Sequence, residues 1–178
     1  KEMLIYFASK SGLDIEGLGR ETVETLIGNK LVENFEDFYS LTYEELISLP
    51  QWKEKKTQNL LEAIEKSKNS EQEKLLPALG IRYVGKQTSK LLVNTFGSIR
   101  NIFDASSDEI NNIHGISESV SSSLIEWYSE NTNKLLIRNL EEIGYKISKK
   151  IQKTTGKLRG KTFVMTGTLS NYTRQNAT

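Results

Sequence analysis

The sequence contains no cysteine. Disulfides and thiolate metal sites are excluded, a composition that suits a reducing compartment. Its one histidine, His114, leaves little for imidazole-based catalysis. No apolar run approaches the ~20 residues of a membrane span, and Lys1-Glu2-Met3 lacks a signal-peptide layout. No membrane partner is expected, and a start at Lys1 rather than Met points to a fragment. Net charge is only +1, so the total charge does not announce nucleic acid. What remains is a chain of 178 residues, 37% hydrophobic, able to bury the core of one or two small domains.

The distribution of charge says more than its sum. Residues 1–142 hold 16 Lys/Arg against 23 Asp/Glu, a balance of −7. Residues 143–178 hold 8 Lys/Arg and no acid, a balance of +8. Inside the acidic part, Lys74 to Phe103 carries Lys74, Arg82, Lys86, Lys90 and Arg100 and no acid. A solvated face is the ordinary explanation of such a run.

That basic stretch contains Ile81-Arg82-Tyr83-Val84-Gly85-Lys86-Gln87-Thr88, which reads as a hairpin opening a helix. Gly85 is expected to supply backbone angles closed to other residues. The amides behind it open a helix whose end carries partial positive charge, a setting suited to phosphate. The pattern recurs. Starts at Ile15, Leu49, Ile81 and Ile113 lie 34, 32 and 32 residues apart. Eight residues on stand Val23, Thr57, Ser89 and Ser121. Eleven and twelve on stand Leu26/Ile27, Leu60/Leu61, Leu92/Val93 and Leu124/Ile125. Such a period marks a repeated supersecondary unit.

The order of elements follows. Met3 to Ser11 reads as a helix ended by Gly12 in the left-handed form. Asp14 to Gly19 is the first hairpin, and Arg20 to Ile27 its second helix, broken at Gly28-Asn29. Phe35, Phe38 and Tyr39 form a linker helix. Thr42 and Glu45 make a capping box. The second hairpin departs from the pattern: Gln51 and Lys53 replace both glycines, with Trp52 placed in the core. It is expected to be mainly structural, with Lys53, Lys55 and Lys56 reaching phosphates by side chain. Phe35-x3-Tyr39-x6-Leu46-x2-Leu49 matches Ile99-x3-Phe103-x6-Ile110-x2-Ile113. Two paired units, roughly 1–68 and 70–147, are therefore expected. Helices Val120 to Tyr128 and Asn133 to Ile143 close the second, ended by Gly144. Residues 148–159 read as a basic linker, and Lys161 to Met165 as a strand.

Several local patterns are decoys. Gly156-x3-Gly160-Lys161-Thr162 is one residue short of a P-loop and precedes a strand rather than following one. Gly17-Leu18-Gly19 has Thr22 where a dinucleotide fingerprint needs Gly or Ala, and no βαβ unit surrounds it. His114 has no carboxylate or nucleophile at a recognisable spacing. No catalytic residue and no metal ligand is assigned.

The hydrophobic-x-Gly-hydrophobic-Gly pattern, followed by a small residue and an apolar pair, resembles the helix-hairpin-helix motif. Four such units, introduced by Asp14-Ile15-Glu16-Gly17-Leu18-Gly19 and followed by Gly160-Lys161-Thr162-Phe163-Val164-Met165-Thr166-Gly167-Thr168-Leu169, resemble the C-terminal part of bacterial NAD-dependent DNA ligase. The likeness implies an all-α domain over 1–147 with four tandem motifs in two pairs, then a truncated β-strand fragment of a BRCT domain over 160–178. It implies sequence-independent binding of nicked double-stranded DNA beside the rest of the ligase chain. It also implies a monomer in the bacterial cytoplasm, at the nucleoid. NAD, magnesium and zinc are implied for the parent ligase and none for this fragment, which lacks the Lys-x-Asp-Gly adenylation motif.

The DNA-binding residues so implied are Gly17, Leu18, Gly19, Arg20, Lys53, Lys55, Lys56, Tyr83, Val84, Gly85, Lys86, Thr88, Gly115, Ile116 and Ser117. Thr166 and Gly167 match a phosphate-binding pair of BRCT domains. On glycine content, the first and third hairpins are expected to matter most and the second least. Two alternatives stay open: a sterile-alpha-motif-like protein-interaction bundle, and the DNA-binding region of another repair protein.

Overall fold

The computed structural model describes residues 1–148, and within them it is all helical with no strand. The linker 149–159, the expected strand and BRCT fragment, Thr166 and Gly167 lie outside the described residues. The chain runs through α1 Glu2–Ala8, α2 Arg20–Gly28, a 3-10 segment Glu36–Ser40, α3 Tyr43–Ile47 and α4 Glu54–Ser67. It continues through α5 Gln72–Ala78, α6 Lys86–Phe96, α7 Ile99–Asp104, α8 Ser107–Asn111, α9 Glu118–Ser129 and α10 Asn131–Ile143.

Helices α1/α2, α3/α4, α5/α6 and α8/α9 pack against each other as consecutive pairs. The column residues explain the packing. Val23, Thr57, Ser89 and Ser121 are all fully buried, small enough to let the paired helices approach. Leu26, Leu60, Leu92 and Leu124 are buried as well, three residues further along the same helix face. The next column does not follow. Val93 is buried, but Ile125 is exposed and Ile27 and Leu61 are half-buried, because one residue rotates the side chain by ~100° off the face.

The halves share one core. The 3-10 segment packs on α10, and α1 packs on α5. Between the halves the hydroxyls of Tyr39, Tyr145 and Ser67 hydrogen-bond to one another. Burial holds both phenols above their ordinary pKa. Phe7 anchors the first half against Phe35 and Phe38. Phe103 stacks on Trp127 and Tyr128 in the second. The buried Gln72 side chain accepts the Ile99 amide, fixing the start of α7.

Local signals held in some places and failed in others. The Thr42/Glu45 capping box is present, and Ser106/Glu109 repeats it ahead of α8. Gly144 ends α10 at φ +119°. Gly12 does not end α1 in the left-handed form. The helix stops at Ala8, and Ser9 is extended. Gly12 is instead pressed against the chain, where a Cβ would lie 2.4 Å from the carbonyl oxygens of Tyr6 and Phe7. The linker helix around Phe38 is a 3-10 segment, although its counterpart α7 is α-helical. Ser98 caps α7 through the Asn101 amide, whereas Phe35, at the head of the 3-10 segment, has no oxygen to offer.

Candidate nucleic-acid interface

The four hairpins have one backbone form. In each, the amide of the fourth residue donates to the carbonyl of the first, from Leu18 to Ile15, Trp52 to Leu49, Val84 to Ile81 and Ile116 to Ile113, at 3.0–3.2 Å. The third residue is left-handed every time: Gly17 at φ +86°, Gln51 at +66°, Tyr83 at +64° and Gly115 at +90°. The fifth is extended and starts the helix: Gly19, Lys53, Gly85 and Ser117.

This corrects two expectations. Gly85, at φ −91°, occupies backbone open to any residue; the demand for φ > 0 falls two residues earlier, on Tyr83. The second hairpin also keeps the shared form without either glycine, because Gln51 accepts the left-handed angles. The two glycine positions differ in kind. A Cβ on Gly17 would sit 3.3 Å from Leu60 Cδ1, whereas Gly19 and Gly85 have nothing within 4 Å of theirs. The third place serves the turn, and the fifth leaves the approach to the helix open.

The helix starts behind the hairpins share a second property. Among the described residues no side chain caps α2, α4, α6 or α9, so their first-turn amides have no N-cap side-chain acceptor. Ser117 is a residue type that favours capping, yet its hydroxyl makes no cap bond. Elsewhere α3, α7 and α8 are capped by Thr42, Ser98 and Ser106, while α1, α5 and α10 lack a side-chain cap as well. Each hairpin thus leads into the positive end of a helix that no N-cap side chain occupies, an arrangement suited to oxyanions.

Cations are unevenly placed. Lys53, Lys55, Lys56, Arg82, Lys86 and Lys90 are exposed and form no ion pair among the described residues. Arg20 is engaged instead. Its guanidinium makes two bonds to Glu2, at 3.1 and 2.9 Å, and reaches Glu24 at 3.5 Å. The hydrogen bond from Arg20 holds the Glu2 carboxyl below its usual range. Arg100 likewise turns inward to Tyr128 and Glu141, tying α7 to α9 and α10. Of the four hairpins, the second and third therefore carry exposed cations with no ion pair among the described residues.

A groove of about 550 Å³ joins Gly17 of the first hairpin to Gln51, Trp52, Lys53, Lys55 and Lys56 of the second. Trp52 is buried as expected, with the Lys56 ammonium 4.2 Å from its ring centre. Leu18 and Val84 have buried side chains, so only their backbone reaches a ligand; Ile116 and Thr88 are half-buried. Gly17, Gly19, Gly85, Lys86, Gly115 and Ser117 are exposed. Sequence reasoning left Lys90 out of the site. Its i, i+4 spacing from Lys86 was the available signal, since it sets both ammonium groups on one face of α6. Among the described residues no group of three or more His, Asp or Glu is placed to hold a metal ion. His114 is exposed.

Comparisons with known proteins agree with this architecture. Residues 74–137 match a family described as a helix-hairpin-helix motif, and residues 13–66 a SAM-like helix-hairpin-helix tandem. The chain is 40% identical over 177 residues to a DNA ligase of Geobacter metallireducens and 38% over 177 residues to one of Geobacter sulfurreducens. It is 41% identical over 172 residues to a DNA ligase of a Hydrogenobaculum species. These alignments cover 99%, 99% and 97% of the chain. The chain spans about a quarter of the length of the curated relatives it matches (26%, 26% and 25%).

Proposed function

We propose that this chain is the helix-hairpin-helix region of an NAD-dependent DNA ligase, and that it grips duplex DNA on both sides of a nick without reading its bases. The observation that carries this is the recurrence of one hairpin form four times, each ahead of a helix whose first-turn amides lack a side-chain cap. Amides aimed at phosphates fix the position and register of a duplex and carry no base information. The lysines of the second and third hairpins add charge attraction, which strengthens as salt falls. The buried scaffold holds the hairpins at fixed spacing, so contacts to separate phosphates reinforce one another. Strand joining, with the adenylation lysine, NAD and magnesium, is assigned to the rest of the parent ligase, as is zinc.

The protein-interaction alternative shares the helical packing, which the SAM-like description of residues 13–66 reflects. It gives no reason for one turn form repeated four times, each time leading into a helix.

The test is binding of labelled duplexes of unrelated sequence, nicked and intact, from ~50 to ~200 mM salt. We expect sequence-independent binding that weakens steeply with salt, with nicked duplex bound at least as well as intact. Absence of binding at the low end, or strong preference for one sequence, would remove the proposal.

A further inference from the structure

Tyr83 stands where the repeat elsewhere has Gly17, Gln51 and Gly115, at φ +64°. Left-handed backbone is unfavourable for a residue with a β-carbon, and a bulky side chain there is an outlier. Burial gives back little, since the residue is 54% exposed. The Arg82 guanidinium lies 4.8 Å from the ring centre, and among the described residues the hydroxyl makes no hydrogen bond. Glycine would make the same turn without strain. Neither deep burial nor a hydrogen bond among the described residues accounts for an aromatic ring at this position.

Its surroundings indicate what would use it. On one side lie Gly85 and the uncapped start of α6, with Lys86 and Lys90 in no ion pair among the described residues. On the other, Tyr83 and Arg82 line a groove of about 670 Å³ shared with Glu118, Glu126 and Trp127. A phosphate is attracted to the α6 side and repelled by the acids of the groove. A ring at that boundary suits the uncharged part of a nucleotide.

We propose that Tyr83, backed by Arg82, is a positioning residue that packs its ring against a deoxyribose or exposed base edge while the α6 start holds the adjoining phosphate. This rests on the DNA-gripping reading of the third hairpin. The contact is non-ionic, and that separates it from the lysines.

The experiment measures duplex binding against salt, together with thermal melting, for Tyr83→Gly, Tyr83→Asn, Tyr83→Phe and Lys86→Ala in the complete chain. Tyr83→Gly should melt higher than the parent and bind about tenfold more weakly, with the parent's salt slope. Tyr83→Phe should bind like the parent. Lys86→Ala should lose affinity and also lower the slope by about one phosphate contact. Unchanged binding by Tyr83→Gly beside a weakened Lys86→Ala overturns the proposal and leaves the hairpin reading standing. A lowered salt slope in Tyr83→Gly overturns it too, because the effect would then be ionic. Asn tolerates left-handed backbone but has no ring. If Tyr83→Asn restores the affinity that Tyr83→Gly loses, turn stiffness explains the loss and the ring does not. If the parent binds no DNA, the function proposed above fails before the variants are reached.

Discussion

Gly85→Asp separates the fold from the site most sharply. Gly85 is the N-cap of α6, extended, with nothing within 4 Å of where a Cβ would stand. Asp is a preferred N-cap, and exchanging it with Gly is worth a few tenths of a kcal/mol. Removing a glycine from the unfolded chain adds roughly 0.4–1 kcal/mol. Together about 1 kcal/mol of stabilisation is expected, a rise in Tm of roughly 2–4 °C for a chain of this size. DNA binding should move the opposite way. The new carboxylate takes the amides that would meet a phosphate and adds repulsion. Losing one hydrogen bond to a charged group costs about 1.5–3 kcal/mol, or roughly tenfold to a hundredfold in affinity. The slope of log affinity against log salt should also fall by about 0.9. Anisotropy titrations at several salt concentrations and a thermal melt measure both. Parent-like affinity at every salt concentration means no phosphate sits at α6. A lowered Tm means the open, extended geometry is wrong. Gly17→Ala is the contrast: at φ +86° and against Leu60 it should destabilise the fold by about 1–2 kcal/mol and report little on DNA.

Three further outcomes are expected. Thr57 is fully buried and its hydroxyl has no partner among the described residues, while Val23 fills the same place in the first unit; Thr57→Val should raise Tm by a few degrees, corresponding to about 1 kcal/mol, and a fall would mean the hydroxyl is satisfied. Glu2→Gln removes an exposed partner of Arg20, so Tm should move little. Duplex affinity at low salt should rise modestly, an increase that higher salt abolishes; no gain at low salt would place Arg20 away from the DNA. Glu45 and Glu109 are held below their ordinary pKa, first by the backbone amides of Thr42 and Ser106. A lowered folded-state pKa gives stability that is present above the unfolded value, ~4.3, and is lost as pH falls through the folded one. The double variant Glu45→Gln, Glu109→Gln should therefore show a flatter fall of Tm below pH ~4.3, and parent-like acid sensitivity would contradict the assignment.

The second hairpin shows where glycine counting stops being informative. Gln51 and Lys53 look like a lost motif in sequence, yet the turn has the same hydrogen bond and the same sign of φ as the others. Leu49 and Trp52 are buried on either side of it, and fixing both ends of a four-residue turn leaves its middle little choice. Packing there overrides a local preference worth about 1–2 kcal/mol.

Sequence by itself determined the repeat. The 32- to 34-residue spacing and the buried columns Val23/Thr57/Ser89/Ser121 and Leu26/Leu60/Leu92/Leu124 follow from helix periodicity, which is local. The Thr42/Glu45 capping box and the Gly144 stop are local as well, complete within a few residues. Only the tertiary structure decided which charges are free. Arg20 meets Glu2 eighteen residues away, and Arg100 meets Glu141 forty-one away; no spacing rule foresees partners brought together by folding. The left-handed strain at Tyr83 and the open approach at Gly85 are likewise properties of the folded turn. A sequence names the residue at a position, but the backbone angle and the neighbouring atoms are fixed only when the helices on both sides have packed.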